Sequence, residues 1–395
     1  MPAKLSIDPR LFNPKFRFRA KEIALIHDCW EQGGSILLTG IRRTGKSEVL
    51  KAALHRLALA GHPVGHLDVQ DYDSLARFYQ DLLEILLRHA PITVRDRLGE
   101  LVKGAAGLPD ALACWIRGQI SEVNVAEMLE LKLNPPAEQL LRYWQPLVEE
   151  LASAMAVHED ARTLPVIGID ELPFMLENLL RAGVETRELT IMLASLRKLR
   201  AAGLRLIVAG SISFENLLTL NDIPHTVLGG FSRQSIPPFS REEAAIYLRE
   251  ELAGSPAGEA AMIELALDTL PDCVPEFLWI AVPRLKGCKN RQASEEALHQ
   301  EVLPAIRRSF LQQFEERLGK NYTIDELPCA ERILDAIAEG APDGSRIDGS
   351  KLPTGYQRVL LKLQYDNFII DGTDFKWRFS LNLVRQWWRA QRGMA

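Results

Sequence analysis

The order of hydrophobic and polar positions predicts alternating helices and strands at the start of the chain. A helical pattern over residues 21–31 is followed by a short apolar run, Ser35–Thr39, which a glycine closes. A run this short, ended by glycine, is typical of a buried strand. Helical spacing returns over residues 47–60, and residues 64–69 form the next apolar run. Strand, helix and strand in this order predict a parallel α/β sheet.

A long helical stretch separates these elements from further strands. Helical periodicity covers residues 73–159, which is more than a crossover between two strands needs. We interpret this stretch as an insertion, either a packing elaboration or a surface for a partner. Strands are predicted again at Val166–Asp170, 204–209 and near 234–237, with a helix across 186–202.

The pattern changes character towards the end of the chain. Beyond Pro237 it is helical, and then helices at 329–339 and 351–365 precede a two-strand signal around Gly372. Helices followed by a hairpin within about seventy residues are typical of a winged helix. The sequence therefore predicts three domains: a core at 1–237, a helical segment at 238–322 and a winged helix at 323–395.

Composition and charge narrow the classes of function. With 47% apolar and 25% charged residues, the chain is globular in composition, which excludes collagen-like and largely disordered proteins. The formal net charge is −5, so any contact with DNA needs a local basic patch. Five scattered cysteines, no zinc-like Cys/His spacing and no signal-peptide pattern predict reduced thiols in the cytoplasm. No apolar run approaches the ~18 residues of a membrane span, so no membrane association is expected.

One motif carries specific chemistry. The segment from Gly40 to Ser47 fits Gly-x4-Gly-Lys-Ser/Thr and lies between a predicted buried strand and a helix, as a phosphate loop must. Its glycines let backbone N–H groups curl around phosphate oxygens. Lys46 is expected to reach the β- and γ-phosphates, and the Ser47 hydroxyl to hold Mg²⁺; a purely structural loop is the alternative. The predicted nucleotide-binding residues are Gly40, Ile41, Arg42, Arg43, Thr44, Gly45, Lys46, Ser47 and Glu48.

A P-loop NTPase needs, besides the phosphate loop, an acidic residue at the end of a second buried strand to hold the metal ion. Val166–Asp170 ends in Asp170, which we assign to the Mg²⁺ side, and Glu171 follows, placed to polarise the attacking water. A surface Asp-Glu turn is the alternative. Consecutive Asp-Glu favours hydrolysis over kinase chemistry, because kinases need no carboxylate that activates water.

Two further polar residues are candidates for contact with the transferred phosphoryl group. If the Asp170 strand neighbours the phosphate-loop strand, a polar side chain after residues 204–209 faces the γ-phosphate and the attacking water. Ser211 is that residue, although such a serine also serves as a helix cap or turn residue. Arg233 precedes the last predicted strand and would neutralise charge on the phosphoryl group, in cis or across a subunit boundary. A solvated surface arginine is the alternative.

Together these residues resemble the AAA+-like ATPases of the archaeal-type and STAND group, which join a P-loop core to a helical lid and a C-terminal winged helix. The likeness covers most of the chain outside the insertion. Residues 40–48 are similar to the group's Arg-Arg version of the P-loop, 169–171 resemble the Walker B motif, and 209–211 resemble the end of the sensor-1 strand. Residues 231–233, Phe-Ser-Arg, look like the group's Gly-Arg element with serine in place of glycine.

The resemblance implies nucleotide contacts outside the phosphate loop. Residues 16–22 are similar to the Phe-x-Gly-Arg-x-x-Glu box that lies against adenine, which implies contact by Phe16 and Arg19; Phe18 replaces the box glycine. The group also has Gly-x-Pro, or an arginine sensor, at the start of a lid helix. Pro275 holds that position here, without the glycine and without an adjacent arginine.

The end of the chain is basic. From Lys351 onward eight cations stand against three acids, a local charge of +5. A winged helix that binds DNA would carry contact residues on its recognition helix, namely Lys351, Gln357, Arg358 and Lys362, and would carry Lys376 on its wing. A winged helix that docks on protein would leave the same cations as a solvated face.

The sequence thus predicts an α/β P-loop NTPase of AAA+-like type, with a parallel sheet core, a helical insertion, an all-α lid and a C-terminal winged helix. Its predicted function is ATP binding and hydrolysis with Mg²⁺, in which the nucleotide state switches conformation or assembly with a protein partner or a second copy. The alternative is a DNA-associated remodeller or loader. A small-molecule kinase is a third interpretation, which the Asp-Glu pair, the lid and the winged helix count against.

Overall fold

The computed structural model describes residues 17–95, 137–157, 164–210, 214–371 and 376–394. They fold into two units. The first comprises the described residues of Met1–Thr39, Lys46–Ser211 and Leu217–Ser235, and the second those of Gly40–Gly45, Ile212–Asn216 and Ile236–Ala395. The predicted phosphate loop contributes to both, since Gly40–Gly45 belongs to the second unit while Lys46 opens a helix of the first.

A five-stranded parallel sheet forms the centre of the first unit. Its strands are β1 (Ser35–Thr39), β2 (Val64–Asp68), β3 (Val166–Asp170), β4 (Arg205–Ala209) and β5 (Phe231–Ser235). Their order is β2-β3-β4-β1-β5, and every neighbouring pair is parallel. The inner strands β1, β3 and β4 are apolar and mostly buried, as in sheets that helices cover. This confirms the predicted α/β class.

The strand order corrects one premise of the sequence analysis. The Asp170 strand does not neighbour the phosphate-loop strand, because β4 lies between them. Ala209 is opposite Leu38 of β1 on one side and opposite Asp170 of β3 on the other. The chain that leaves β4 at Gly210 therefore emerges between the ends of β1 and β3.

The last strand also begins earlier than expected. β5 starts at Phe231, so Arg233 lies inside the strand rather than before it. Because β5 is an edge strand, its Phe-Ser-Arg-Gln-Ser sequence is largely exposed and carries little apolar signal. The predicted range, 234–237, includes Ile236, an apolar residue that is fully buried just after the strand.

Helices accompany the sheet along the chain of the first unit. They are α1 (Ala20–Glu31), α2 (Lys46–Leu59), α3 (Leu75–His89), α4 (Ala137–Ala156), α5 (Leu172–Arg181) and α6 (Thr186–Ala201). α3 and α4 pack on each other and are the described part of the predicted insertion, whose residues 96–136 and 158–159 lie outside the described residues. α5 was not predicted; Pro173 in its first turn reads as a breaker but is tolerated at that position.

A glycine in β3 sets how closely α2 approaches the sheet. A Cβ atom on Gly168 would lie 2.6 Å from Cδ1 of Leu54 and 2.8 Å from Cδ2 of Leu50. The leucines of α2 therefore rest directly on the β3 backbone. Since α2 begins at Lys46 and β3 ends at Asp170, this packing fixes the start of the helix relative to the end of the strand.

The second unit is largely helical. After α7 (Phe214–Leu220), which bridges the division, its helices are α8 (Arg241–Glu251), α9 (Ala260–Thr269), α10 (Pro275–Leu285), α11 (Arg291–Ala297), α12 (Leu303–Ile306), α13 (Gln312–Asn321), α14 (Leu327–Glu339), α15 (Tyr356–Tyr365) and α16 (Asn382–Gln391). Two π-helical turns, Leu298–Val302 and Arg307–Leu311, make α11 to α13 one continuous helical run. Strands β6 (Ile369–Asp371) and β7 (Trp377–Phe379) pair antiparallel.

One hydrophobic cluster runs through the second unit. It extends from Ala244 on α8 to Trp388 on α16 and includes Ile41 of the phosphate loop. Asp272, in the turn before α10, contacts the start of α16. Its carboxylate accepts hydrogen bonds from the backbone N–H groups of Asn382 at 2.6 Å and Leu383 at 2.8 Å. The N-terminus of α16 is thus capped by a residue distant in sequence.

The predicted helix over 351–365 is shorter in the structure. Lys351 ends a separate 3₁₀ turn, Gly349–Lys351, and α15 begins only at Tyr356. The intervening Pro353 and Gly355, the latter at φ +85°, interrupt the helix. The hairpin turn at 372–375 lies outside the described residues. Among the residues that are described, no helix has both the length and the hydrophobicity that a bilayer crossing demands.

Candidate nucleotide-binding site

The segment between β1 and α2 winds through left-handed backbone conformations. The φ angle is +124° at Gly40, +73° at Arg43 and +90° at Gly45. Left-handed residues interspersed in a short loop turn successive N–H groups towards one centre and form a nest that binds anions. A Cβ atom on Gly40 would lie 2.8 Å from the carbonyl oxygen of Ile236, so only glycine fits there. The predicted phosphate loop therefore has the backbone of an anion site.

Side chains in the middle of the loop are anchored within the second unit. Thr44 is fully buried and donates its hydroxyl to the carbonyl oxygen of Ile41 at 3.0 Å. Arg43 forms an ion pair with Glu276, with 2.6 Å between Nη1 and Oε1. Its guanidinium also donates to the hydroxyl and the carbonyl oxygen of Ser309, both at 3.0 Å. The neighbouring Arg42 is exposed.

The predicted phosphate and metal residues meet within the first unit. Lys46 and Ser47 open α2, and Asp170 ends β3. The Ser47 hydroxyl donates to Oδ1 of Asp170 at 3.1 Å, and Lys46 is only 6% exposed. Hydroxyl and carboxylate oxygens are the ligands that Mg²⁺ prefers. Two residues 123 positions apart in sequence are thus paired as a magnesium site requires.

Negative charge gathers at this edge of the sheet. Burial raises the pKa of Asp170 to about 6; the Ser47 hydrogen bond lowers it, and the charges of Glu171 and Asp68 raise it again. Asp68 ends β2 directly opposite Asp170. Asp68 is a site residue without a role in the sequence-based prediction, although it is an acid near the end of the second predicted strand. A divalent cation would neutralise this group of carboxylates.

Glu171 follows Asp170 in an uncommon conformation. Its φ is +60°, and it is the N-cap residue of α5. A left-handed conformation at a residue other than glycine costs roughly 1 kcal/mol and is concentrated at functional sites. The strain accompanies the sharp turn from β3 into α5, which keeps Glu171 at the carboxyl edge of the sheet next to Asp170.

Ser211 and Arg233 are the other two residues predicted to contact the transferred phosphoryl group. Gly210 lies against α5, where a Cβ atom would be 2.6 Å from Cδ and Cγ of Pro173. Ser211 lies outside the described residues. Arg233 is exposed and opposite Leu37, so it lies one register position short of the level of Asp170.

The segment that resembles the adenine-binding box has a left-handed backbone conformation at the position where the box has glycine. Phe18, which replaces the box glycine, has φ +61°. Arg19 is 3% exposed, and its Nη1 lies 3.3 Å from Oε1 of Glu22. The arginine and glutamate of the box thus contact each other at the start of α1. Phe16 lies outside the described residues. Pro275, the predicted lid residue, is the first residue of α10.

The four cations predicted to contact DNA have acidic partners in the same unit. Lys362 is buried, with Nζ 2.7 Å from Oε2 of Glu326, so its predicted place on a DNA-facing surface is wrong. Arg358 pairs with the same glutamate at 3.6 Å. Lys351 lies 3.5 Å from Asp348, and Lys376 lies 3.4 Å from Asp343. The charge of +5 counted from residue 351 leaves out these acids, because they precede it in sequence.

Comparison with known proteins bears on the fold. No family model and no curated protein matches the chain. It is similar to the Walker-type ATPase PABY2304 of Pyrococcus abyssi, with a TM-score of 0.57 and 18% identity over 98% of this chain and 99% of that one. The ADP form of the Aeropyrum pernix ORC2 protein matches over 98% of both chains, with a TM-score of 0.48 and 13% identity.

A third solved structure, the AMPPCP-bound DnaA of Aquifex aeolicus, matches with a TM-score of 0.34 and 11% identity over 89% of this chain and 80% of that one. The parallel sheet, with a phosphate loop after β1 and an acid at the end of β3, defines a P-loop NTPase fold. The chain shares this fold with the Walker-type ATPase of Pyrococcus abyssi over nearly the whole of both chains.

Proposed function

We propose that the protein binds and hydrolyses ATP with Mg²⁺, and that its nucleotide state switches its conformation or its assembly with a protein partner. The observation that carries this proposal is the hydrogen bond from Ser47 to the buried Asp170, at the start of the helix that follows a left-handed phosphate loop. A loop with a purely structural role needs neither a buried lysine nor a serine hydroxyl held on a buried carboxylate.

Each residue of the site has a distinct task in the proposed reaction. Lys46 and the loop N–H groups would bind the β- and γ-phosphates. Ser47 and Asp170 would hold Mg²⁺, which supplies positive charge against the phosphate oxygens. Glu171 would take a proton from the water that attacks the γ-phosphorus, while the bond from that phosphorus to the oxygen of ADP breaks.

We favour a protein partner or a second copy over DNA as the recipient of the switch. The ion pairs of Lys351, Arg358 and Lys362 leave less net charge for phosphate contacts than the sequence count implies. The division into a core, a lid from residue 238 and a winged helix from residue 323 is part of this proposal. The helices α14 and α15 followed by the β6–β7 hairpin support it.

The proposed setting is the reducing cytoplasm. The described cysteines, Cys29, Cys273, Cys288 and Cys329, are all free thiols, which such a compartment maintains.

The test is the ATPase rate and particle mass of the wild type, Lys46→Ala and Glu171→Gln, with and without Mg²⁺ and duplex DNA. We expect Mg²⁺-dependent hydrolysis by the wild type, loss of tight ATP binding in Lys46→Ala, and binding without turnover in Glu171→Gln. Unchanged ATP affinity in Lys46→Ala would refute the site. DNA-stimulated turnover that falls with salt would support the DNA-associated alternative instead.

A further inference from the structure

The guanidinium of Arg43 ties the phosphate loop to two helical segments of the second unit. Its Nη1 lies 2.6 Å from Oε1 of Glu276, in the first turn of α10, and 3.0 Å from the hydroxyl of Ser309. Its Nη2 lies 3.0 Å from the carbonyl oxygen of Ser309, in a π-helical turn. One side chain thus makes three polar contacts with residues far along the chain.

The backbone explains why such an anchor matters at this position. Of the three left-handed residues in the loop, Gly40 and Gly45 adopt the conformation without steric penalty, whereas Arg43 does so as a residue with a side chain. A strained conformation persists only where the surrounding structure holds it. The contacts of the guanidinium supply that support.

The charges of Arg43 and Glu276 also lie where the loop and the helix favour them. The cation is on the phosphate loop and the carboxylate is at the N-terminus of α10, where the helix dipole favours negative charge. The side chains of Arg43 and Glu276 are only 20% and 33% exposed, so water screens the pair incompletely. Without Arg43, the carboxylate would lose its ion-pair partner beside a site for an anion and would retain only the weaker influence of the Arg42 charge.

We propose that Glu276 and Ser309 are positioning residues for nucleotide binding: by anchoring Arg43, they hold the phosphate loop in its anion-binding conformation before the nucleotide arrives. This inference rests on the proposed function and deepens it. Because a preorganised loop contributes to binding of substrate and transition state alike, loss of the anchor raises the KM for ATP more than it lowers kcat.

A double-mutant cycle tests the inference. ATP affinity is measured for Glu276→Gln, Arg43→Ala, Arg43→Gly and the combination of Arg43→Gly with Glu276→Gln. We expect Glu276→Gln and Arg43→Ala to weaken ATP binding about five- to tenfold. Arg43→Gly should weaken it less, because glycine adopts a φ of +73° unaided. Adding Glu276→Gln to Arg43→Gly should change nothing further.

A matched control is Glu264→Gln on α9, which breaks an exposed ion pair with Arg241 at 2.6 Å in the same unit and should leave ATP affinity unchanged. Tighter ATP binding by Glu276→Gln, or an equal loss in the Arg43→Gly background, overturns the inference.

A second readout separates this inference from the proposed function. Hydrogen exchange of the amides of residues 41–45, measured without nucleotide, should be several-fold faster in Glu276→Gln than in the wild type. If the wild type binds no ATP, the proposed function fails, and the exchange data still decide whether Glu276 orders the loop. If the wild type binds ATP and the exchange rates are equal, the anchoring itself is overturned.

Discussion

At the scale of single residues, the buried carboxylate of Asp170 destabilises the nucleotide-free protein when it is charged. Burial raises its pKa from 3.8 to about 6. Between these values the native state binds more protons than the unfolded chain, so the free energy of unfolding falls as the pH rises through that window. Above it the buried carboxylate is charged, and only the Ser47 hydrogen bond and the charge of Lys51 offset the cost of its burial and of the neighbouring carboxylates Glu171 and Asp68.

We predict that Asp170→Asn raises the free energy of unfolding of the nucleotide-free protein at pH 7.5 by about 1–3 kcal/mol. Chemical denaturation without Mg²⁺ measures this, and the same variant should lose Mg²⁺-dependent hydrolysis. The difference between variant and wild type should shrink as the pH is lowered towards 4. Asp268→Asn, at an exposed acid, is the control. A variant less stable than the wild type at pH 7.5 would contradict the prediction.

The residues of the candidate site differ in how far sequence could predict them. The phosphate loop and Asp170 were predictable because their spacing and their place at the ends of apolar runs follow from local chain geometry. Glu276 was not predictable, since helix packing brings it to the loop. Asp68 ends a predicted strand, but only the strand register places it opposite Asp170. The error at Lys362 has the same origin, because its partner Glu326 lies outside the segment in which charges were counted.

At the scale of elements, contact between α2 and β3 depends on the absence of a side chain at Gly168. A valine there would place its Cβ within 3 Å of both Leu50 and Leu54. We predict that Gly168→Val lowers the free energy of unfolding by about 1–3 kcal/mol. It should also reduce hydrolysis in the protein that remains folded, because α2 carries Ser47 and β3 carries Asp170.

The measurement pairs denaturation with ATPase rates at a temperature where the variant is fully folded. Gly319→Ala is the matched control, since no atom lies within 4 Å of a Cβ at that helical position. It should be neutral or slightly stabilising. Full activity of folded Gly168→Val would show that the site does not depend on this packing.

A second element-scale prediction concerns the cap of α16. Asp272→Ala removes the acceptor for the N–H groups of Asn382 and Leu383, and should cost about 1–2 kcal/mol. Faster hydrogen exchange at the start of α16 should accompany the loss. Asp272→Asn retains one acceptor oxygen and should fall between the alanine variant and the wild type. Equal exchange in all three proteins would mean that the cap contributes nothing.

Inner strands with a clear apolar signal were predicted at the correct place, and the edge strand β5, which lacks one, was not. The first and last residues of β1 and β3 were predicted correctly, because both strands are short, buried apolar runs that end at a polar residue or before a glycine. β5 was placed too late because an edge strand exposes polar side chains and needs no apolar run. The start of α15 was placed too early, since helical periodicity was extended through Pro353 and Gly355.

At the scale of the whole molecule, internal ion pairing sets what the basic end of the chain can do. Since Lys351 and Arg358 each contact an acid, we predict that duplex DNA changes the ATPase rate less than twofold at both low and moderate salt. Steady-state turnover with and without DNA measures this. Lys351→Glu with Arg358→Glu should leave the rate unaltered. If DNA stimulates ATP turnover in a salt-sensitive way, and this double variant abolishes the stimulation, the preference for a protein partner over DNA is wrong.

The position of β1 in the sheet has a consequence for the biosynthesis of the protein. Both neighbours of β1 are encoded late, because β4 begins at Arg205 and β5 at Phe231. A nascent chain therefore carries the apolar strand Ser35–Thr39 without a partner until β4 has left the ribosome. An unpaired apolar strand is a template for aggregation, and distant pairings form slowly. Translation products that stop before Ala209 thus expose this strand to chaperones and proteases.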